Sequence, residues 1–286
     1  MALAHRPLAF ARLRRVDLAR GGMVVVAVAA AFAVFALIGT VLWLSFTSGT
    51  PGDPALALTF GNYIDTFRDG FTYRVLGNTF VFCLVTLVVA FALALPLAWL
   101  MERTDFPART AVFTLMNVAL LIPGFAVALG WVFLLHPRIG LINQALIGLF
   151  GLATAPLDIA SIPAMGLVEG LSLTPLAFVM VSVVLRAMDP ALEEAAATSG
   201  AAPLAAVLRV TLPVLWPGLL AAAIYVAAVS FAAFDVPAIL GLTARIYTFS
   251  TYVFRQLTPT EGLPEYGSVA SLSVIMVVLA DRKSVV

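Results

Sequence analysis

The segment with the most distinctive residue types and spacing is 189–213, which lies between two long apolar runs. Asp189 can cap a helix that begins at Pro190, because the N–H that proline lacks is unpaired at the first helical position anyway. Glu193 and Glu194 then stand near the positive end of the dipole of that helix. Two membrane spans can be joined by a much shorter connection. We therefore interpret this segment as a structured surface whose carboxylates suit an ionic contact with a partner.

A second helix is predicted to follow the first within the same segment. Gly200 suits the end of the first helix, where a positive φ is often needed, and Pro203 suits the start of the second. Each helix carries one stripe of apolar and small residues. The stripes comprise Leu192, Ala195, Ala196 and Ser199 in the first helix and Leu204, Val207, Leu208 and Thr211 in the second. Small side chains allow the backbone of another chain to come close.

The sequence contains no set of residues for ATP hydrolysis or metal chemistry. A phosphate-binding loop needs Gly-x-x-x-x-Gly-Lys-Ser/Thr, whereas the single lysine, Lys283, has no such context. Cys83 is the single cysteine, and no Cys/His spacing typical of a metal site occurs. The net charge of +1 gives no basic footprint for nucleic acid. We therefore expect no catalytic residue, no metal, no cofactor and no nucleic-acid partner.

The composition places the chain in a lipid bilayer as an all-α integral membrane protein. Of its 286 residues, 62% are hydrophobic and 11% are charged, whereas soluble domains average about 25% charged residues. Helices are expected because a backbone exposed to lipid must satisfy its own hydrogen bonds. Five apolar runs are near the length of about 20 residues that crosses a bilayer. These runs are 23–46, 79–101, 111–135, 166–185 and 214–234.

The arginines predict which ends of these spans face the cytoplasm. Five arginines precede the first run, which favours a cytoplasmic tail at 1–22 and an uncleaved signal anchor. Counting spans from that tail assigns 23–74 to the first span and its periplasmic loop, and it places segment 189–213 inside. The inner side then holds nine arginines and the outer side five. Segment 189–213 is therefore expected to be within reach of a cytoplasmic protein.

Ionisable residues are predicted to lie near the outer ends of the spans. Asp158, Glu169 and Asp235 are assigned there, and mid-span charges, which mark proton or sodium coupling, are not expected. The stretch 145–152 is too short to cross and predicts an interfacial or re-entrant helix. Pro123-Gly124 is interpreted as a kink within a span. Energy for transport must then come from outside this chain.

The spacing within 189–213 resembles the cytoplasmic coupling loop of ABC importer permeases, known as the EAA loop. That pattern is Glu-Ala-Ala, three residues, Gly, nine residues, a branched aliphatic residue, one residue, and Leu-Pro. Here it is carried by Glu194-Ala195-Ala196, Gly200, Val210 and Leu212-Pro213, with Val210 where isoleucine is commoner. The chain from about residue 75 to 280 is thus similar to the transmembrane domain of type I ABC importers.

The resemblance implies a site and a set of partners. Glu193 and Glu194, with Ala195, Ala196 and Gly200, would face a cytoplasmic ABC ATPase dimer, and Val210, Leu212 and Pro213 would close the loop. A periplasmic solute-binding protein would deliver the solute, and a second permease half or subunit would complete the pathway in a bacterial inner membrane. ATP would be bound by the partner subunit, and the solute-binding residues cannot be assigned.

The longer correspondence, including the first span and 137–143, is most similar to ferric iron permeases. Importers of polyamines, thiamine or phosphonates resemble the chain nearly as well. Two other classes stay open, namely an ATP-independent facilitator or channel and a membrane scaffold without transport. A charge reversal at Glu194 separates the importer from the facilitator, because only the importer needs the ATPase contact.

The end of the sequence departs from the expected pattern. The sixth apolar run, 267–280, has 14 residues and would be roughly 21 Å long as a helix, too short for a hydrocarbon core of roughly 30 Å. We therefore expect five complete spans and a truncated sixth, with the domain 75–280 incomplete. Residues 281–286 resemble a translated sequencing adapter, and we hypothesise that they are an artefact and that the chain is the N-terminal half of a longer protein.

Overall fold

The structure, a computed structural model, is almost entirely helical. It describes residues 8–49, 56–259 and 264–281. Residues 1–7 of the predicted tail and 282–286 of the predicted artefact lie outside these residues. The first half forms α1 (Leu8–Ser45), β1 (Thr47–Ser48), β2 (Ala57–Leu58), α2 (Gly61–Arg68), α3 (Gly70–Arg103), α4 (Arg109–Ala119) and α5 (Gly124–Leu135). The second half forms α6 (Leu141–Phe150), α7 (Ile162–Ala187), α8 (Ala191–Thr198), α9 (Pro203–Ala206), α10 (Leu212–Ala232), α11 (Phe249–Leu257) and α12 (Tyr266–Asp281).

The predicted membrane spans correspond to long helices. Within the described residues, four stretches are long and apolar enough to cross a membrane, and a fifth is added if the bent pair α4 and α5 counts as one span. The four stretches are Arg20–Ser45, Gly70–Arg103, Ile162–Ala187 and Val207–Ala232. The sixth predicted run forms the shorter apolar helix Tyr266–Leu279. Most runs are therefore confirmed as helices, with ends that move by a few residues.

The chain divides into two compact units, and the first contains Met1–Arg68 with Leu263–Ile275. Its small hairpin pairs β1 with β2 in antiparallel register. The side-chain amide of Asn62 in α2 donates to Ser45 O at 3.0 Å and to Thr47 O at 2.9 Å. The first bond pairs a carbonyl that the end of α1 leaves free, and the second pairs a carbonyl of β1. Helix α2 is therefore held against the end of α1.

The second unit, Asp69–Gly262 with Met276–Val286, is centred on α3 and α7. A Cβ atom at Gly166 would lie 3.0 Å from Phe82 O, and one at Gly170 would lie 2.9 Å from Thr86 O. Both contacts advance by four residues in the same direction, so the two helices run parallel with their backbones nearly touching. Thr86 Oγ1 donates to Gly166 O at 3.2 Å across this interface. Glycines thus allow the close packing that is typical of membrane helices.

Helices α10 and α4 complete the core of this unit. A Cβ atom at Gly218 in α10 would lie 2.6 Å from Val184 Cγ1 in α7. Phe113 of α4 packs on the buried ring of Phe178, with 5.0 Å between ring centroids. The buried residues of this core are Ala90, Ala94, Ala98, Met101, Ala177, Phe178, Val181, Leu185, Met188, Leu215, Leu219 and Val226. Alanine at every fourth position of α3 keeps the helices close.

The prediction of a single kinked span at 111–135 needs correction. Helices α4 and α5 are bent by 100° at the break before Gly124. Pro123 has extended backbone angles, because proline cannot donate a hydrogen bond to continue a helix. If the parallel helices α3 and α7 both cross a membrane, the chain between them must return across it, and the bent pair is then a broken span.

Glu169, which the sequence placed near the outer end of its span, is buried. It is the eighth of 26 residues in α7 and is only 9% exposed. About two turns of helix therefore separate it from Ile162, where α7 begins. The sequence did not predict this burial.

Candidate functional site

The first helix of segment 189–213 has the ends that its sequence predicts. Asp189 Oδ1 accepts a hydrogen bond from Ala191 N at 2.9 Å, and Glu193 and Glu194 lie in the first turn. Gly200 has φ +82°, and Ala201 N donates to Ala196 O at 3.0 Å. This bond is the longer of the two hydrogen bonds of a Schellman motif, in which a glycine ends the helix. Helix α8 is therefore held at both ends by local bonds.

The second helix differs from the expectation that Leu212-Pro213 ends the loop. Helix α9 continues through the π-helical segment Val207–Thr211 into α10 with no interruption, so the span starts at Val207 and not at 214. Leu212 N donates to Val207 O, five residues earlier. Proline rings clash with the carbonyl four residues back in a regular helix, and the wider π turn accompanies Pro213. The second helix of the loop is thus continuous with the span.

Glu193 is tied to two other elements of the fold. Its Oε2 atom lies 3.1 Å from Arg103 Nε at the end of α3, and its Oε1 atom accepts from Thr211 Oγ1 at 2.7 Å. The Arg103 contact is an ion pair and does not meet hydrogen-bond geometry. The side chains of Arg103 and Glu193 are 10% and 20% exposed, so water screens the pair only partly.

Arg103 also binds the end of α7. Its Nη2 atom donates to Leu185 O at 2.9 Å and to Met188 O at 3.3 Å. Both carbonyls lie at the C-terminal end of α7, where a cation is favoured by the helix dipole. One arginine therefore joins α3 to α7 and, through Glu193, to α8. Sequence reasoning missed this role, because Arg103 had served only to orient the spans.

Glu194, the neighbouring carboxylate, is exposed and has no hydrogen bond or ion pair among the described residues. Ala195 is also exposed and Ala196 is half-buried, while Leu192 is 45% exposed. Most of the stripe predicted on the first helix is therefore open to a partner. Of the second stripe, Thr211 is buried and Leu208 is 54% exposed.

A second ionic cluster lies beside this site at the same end of α3. Glu102, whose side chain is 3% exposed, lies 2.8 Å from Arg109 Nη2 and 2.8 Å from Arg186 Nε. The guanidinium of Arg186 lies 4.8 Å from the ring centroid of Phe113. A buried carboxylate with two arginines satisfies the rule that buried charges are paired. The cluster joins α3, the start of α4 and the end of α7.

An apolar cavity of about 520 Å³ lies beside the π-helical segment. It is lined by residues from α3, α7 and the continuous helix that follows the loop. Thr211, whose hydroxyl binds Glu193, is one of the lining residues. The helix that carries the loop is therefore not packed on this side, which leaves room for it to move.

Helices long enough to cross a membrane, joined at one end to an exposed helical hairpin, define a helical membrane protein. Residues 94–280 match the family described as "Binding-protein-dependent transport system inner membrane component", and the chain belongs to this family. The family is one of transport components and not of enzymes. Its fold is that of the transmembrane domain of type I ABC importers, and it is a multi-pass inner-membrane protein.

Among curated proteins, the chain is similar to the trehalose transport system permease protein SugA of Mycobacterium tuberculosis, strains CDC 1551 / Oshkosh and ATCC 25618 / H37Rv. The identity is 28% over 207 residues, which cover 69% of this chain and 64% of SugA. The chain thus spans somewhat less than two thirds of the length of these relatives.

Solved structures share the fold at low identity. A bacterial alginate ABC transporter, in complex with an alginate pentasaccharide-bound periplasmic protein, has a TM-score of 0.74 at 17% identity, covering 96% of this chain and 93% of that chain. An inward-facing MetNI methionine ABC transporter has a TM-score of 0.52 at 18% identity, with 74% and 90% covered. The expectation of a type I importer fold is confirmed, whereas the ferric-iron resemblance receives no support from these relatives.

Proposed function

We propose that the chain is the permease subunit of an ATP-driven importer and that segment 189–213 is its contact with a separate ATPase dimer. The observation that supports this role is the division between two adjacent carboxylates. Glu193 is bound to Arg103 and Thr211 within the fold, whereas Glu194 projects from the same helical turn without an internal partner. A free carboxylate on a firmly held helix suits recognition by a cationic side chain.

The surface around Glu194 fits such a partner. The exposed side chains of Ala195 and Ser199 next to the carboxylate are small, and exposed Leu192 provides an apolar side chain that a partner can bury. A helix of this kind is suited to a groove, where its apolar side chains are buried and its charge pairs at the rim. In the proposed transporter, Ala196, Gly200 and Val210 maintain the shape of the hairpin, and Leu212 and Pro213 carry it into the span.

For the solute we propose a carbohydrate, delivered by a periplasmic solute-binding protein to a pathway shared with a second permease subunit. The similarity to a trehalose permease supports this choice, as does the likeness to an alginate transporter at the level of the fold. Ferric iron, which the sequence resemblance favoured, is retained only as a competing outcome of the transport test, together with polyamine, thiamine and phosphonate.

The ATPase contact is tested by substituting Glu194→Lys and measuring how much ATPase subunit copurifies with the permease. We expect copurification to fall at least about tenfold, because an interfacial ion pair becomes a like-charge contact. Asp105→Lys is the matched control, since Asp105 is an exposed carboxylate in the neighbouring short loop. Full copurification of the Glu194→Lys protein, with solute uptake retained, would replace the importer by an ATP-independent facilitator.

The solute is tested in proteoliposomes that contain the permease, its partner permease and the ATPase, with the binding protein outside. We expect uptake of a labelled disaccharide or oligosaccharide that depends on both ATP and the binding protein. Uptake of ferric iron, a polyamine, thiamine or a phosphonate in place of sugar would overturn the carbohydrate proposal and leave the ATPase contact standing.

A further inference from the structure

We propose that Glu193 is a positioning residue that transmits movement of α8 to the membrane helices, and not a residue that recognises the ATPase. This inference rests on the proposed function of segment 189–213. Three elements of the fold meet at the Glu193 carboxylate. Glu193 on α8 contacts Arg103 on α3 and Thr211 in the π-helical segment before α10.

The contacts are arranged so that each oxygen of the carboxylate binds a different helix. Oε2 faces Arg103 Nε at 3.1 Å, and Oε1 accepts from Thr211 Oγ1 at 2.7 Å. Arg103 extends the chain of contacts by donating to two carbonyls at the end of α7. A displacement of α8 is thus applied to α3, α7 and the helix that leads into α10. We call these three side chains, Arg103, Glu193 and Thr211, the joint.

Burial separates the joint from a surface salt bridge. Exposed ion pairs contribute little because water and salt screen them, but the Arg103 side chain is only 10% exposed and Thr211 is 2% exposed. The Glu193 side chain is 20% exposed, and both of its carboxylate oxygens already contact groups inside the fold. Glu194 is exposed and has no such contact among the described residues, so substitutions at the two positions are expected to have different effects.

Without the joint, α8 would still reach the membrane helices through the chain on either side of it. On one side, three residues join it to the end of α7, and on the other side Gly200 and its neighbours join it to α9. Gly200 is the residue at positive φ in this loop, and glycine permits a wide range of backbone angles. The backbone connection from α8 to α9 is accordingly flexible. Movement of α8 is therefore transmitted to α10 through the side chains of the joint.

The test compares adjacent substitutions in the complete transporter. For Glu193→Ala we expect normal copurification of the ATPase but at least about a tenfold fall in solute transported per ATP hydrolysed, since a hydrogen bond to a charged group biases a two-state equilibrium by roughly that factor. Hydrolysis continues in this variant and no longer responds to the solute-loaded binding protein. Glu194→Lys is expected to lose copurification itself.

Thr211 provides a second pair of variants that does not depend on the stability of the Glu193 substitution. Thr211→Val keeps the shape and removes the hydroxyl, whereas Thr211→Ser keeps the hydroxyl. We expect reduced transport per ATP in the valine variant and wild-type coupling in the serine variant. A merely structural role would lower the yield of Thr211→Val without changing the ratio of transport to hydrolysis.

The outcomes separate this inference from the function on which it rests. Wild-type coupling in both Glu193→Ala and Thr211→Val, with loss of copurification in Glu194→Lys, overturns the joint and leaves the ATPase contact intact. Loss of copurification in Glu193→Ala also overturns the joint, because Glu193 would then be needed for recognition. Normal copurification in Glu194→Lys overturns the proposed contact itself.

Discussion

Gly170 of α7 lies directly against Val89 of α3, so closely that a Cβ atom at Gly170 would be 2.6 Å from Val89 Cβ. One turn earlier, Gly166 stands in the same relation to Val85, at 2.8 Å. The two helices are therefore in contact along a line where no larger residue fits. Through this contact, α3 and α7 pack closely in the unit that carries the joint.

The first prediction concerns this contact. Gly170→Ala is expected to destabilise the purified protein by about 1–3 kcal/mol, or more if the backbones cannot separate, because a methyl group is forced into filled space. Thermal unfolding in detergent measures the effect. Gly77→Ala, in α3 with nothing within 4 Å of the added Cβ atom, is the matched control and is expected to be neutral or slightly stabilising. Equal unfolding temperatures for the two variants would contradict the packing described.

The second prediction concerns the break between α4 and α5. A Cβ atom at Gly124 would lie 2.5 Å from Asp235 Oδ2, so Gly124→Ala is expected to lower the amount of folded protein and the transport rate. Gly130→Ala in the same helix, where the added atom meets nothing within 4 Å, is the control. Adding Asp235→Ala to Gly124→Ala removes the atom that clashes, and folding is expected to recover. A double variant as unstable as Gly124→Ala would show that the clash is not the cause.

The third prediction concerns the buried carboxylate of Glu102. Each of the substitutions Arg109→Ala and Arg186→Ala leaves the other arginine in place and is expected to cost about 1 kcal/mol or less. Together they leave Glu102 buried without a cation, and the cost is expected to exceed the sum of the two by about 2 kcal/mol or more. A double-mutant cycle of denaturant unfolding measures this excess. Additive costs would mean that Glu102 reaches water once the arginines are removed.

The fourth prediction concerns the end of α8. Gly200 has φ +82°, where a Cβ atom costs about 1–2 kcal/mol. Gly200→Ala is thus expected to speed amide hydrogen exchange across residues 191–201, by roughly tenfold for 1.4 kcal/mol, and to weaken ATPase copurification. Gly200→Asn is expected to be milder, because asparagine tolerates this conformation. Unchanged exchange in the alanine variant would show that the loop finds another way to end the helix.

Local signals in the sequence were sufficient for the hairpin itself. The cap at Asp189 and the glycine end at Gly200 act over a few residues, and both are present as expected. The spans were also accessible, because apolar length is the main requirement of a membrane helix. What the sequence did not predict at the second helix was its continuation through Leu212 and Pro213 into α10, which the π-helical segment Val207–Thr211 accompanies.

The joint was beyond the reach of sequence reasoning for a different reason. Arg103 and Glu193 are 90 residues apart, and nothing local distinguishes Glu193 from Glu194. Only the parallel packing of α3 and α7 brings the end of α3 beneath α8. The buried position of Glu169 was missed in the same way, because its distance from the helix end depends on where α7 begins. The identity of the solute could not be predicted from the sequence, since no pattern marks the side chains that would contact it.

The parallel pairing of α3 and α7 also has a consequence for how the protein is made. Thr86 and Gly166, which bond across this interface, are 80 residues apart. At translation rates of about 5–20 residues per second, α3 is complete roughly 4–16 s before its partner emerges. During that interval the alanine face of α3 lacks the helix that covers it in the folded protein. Helix α3 must therefore persist in the bilayer without α7, and its apolar length suits it to do so.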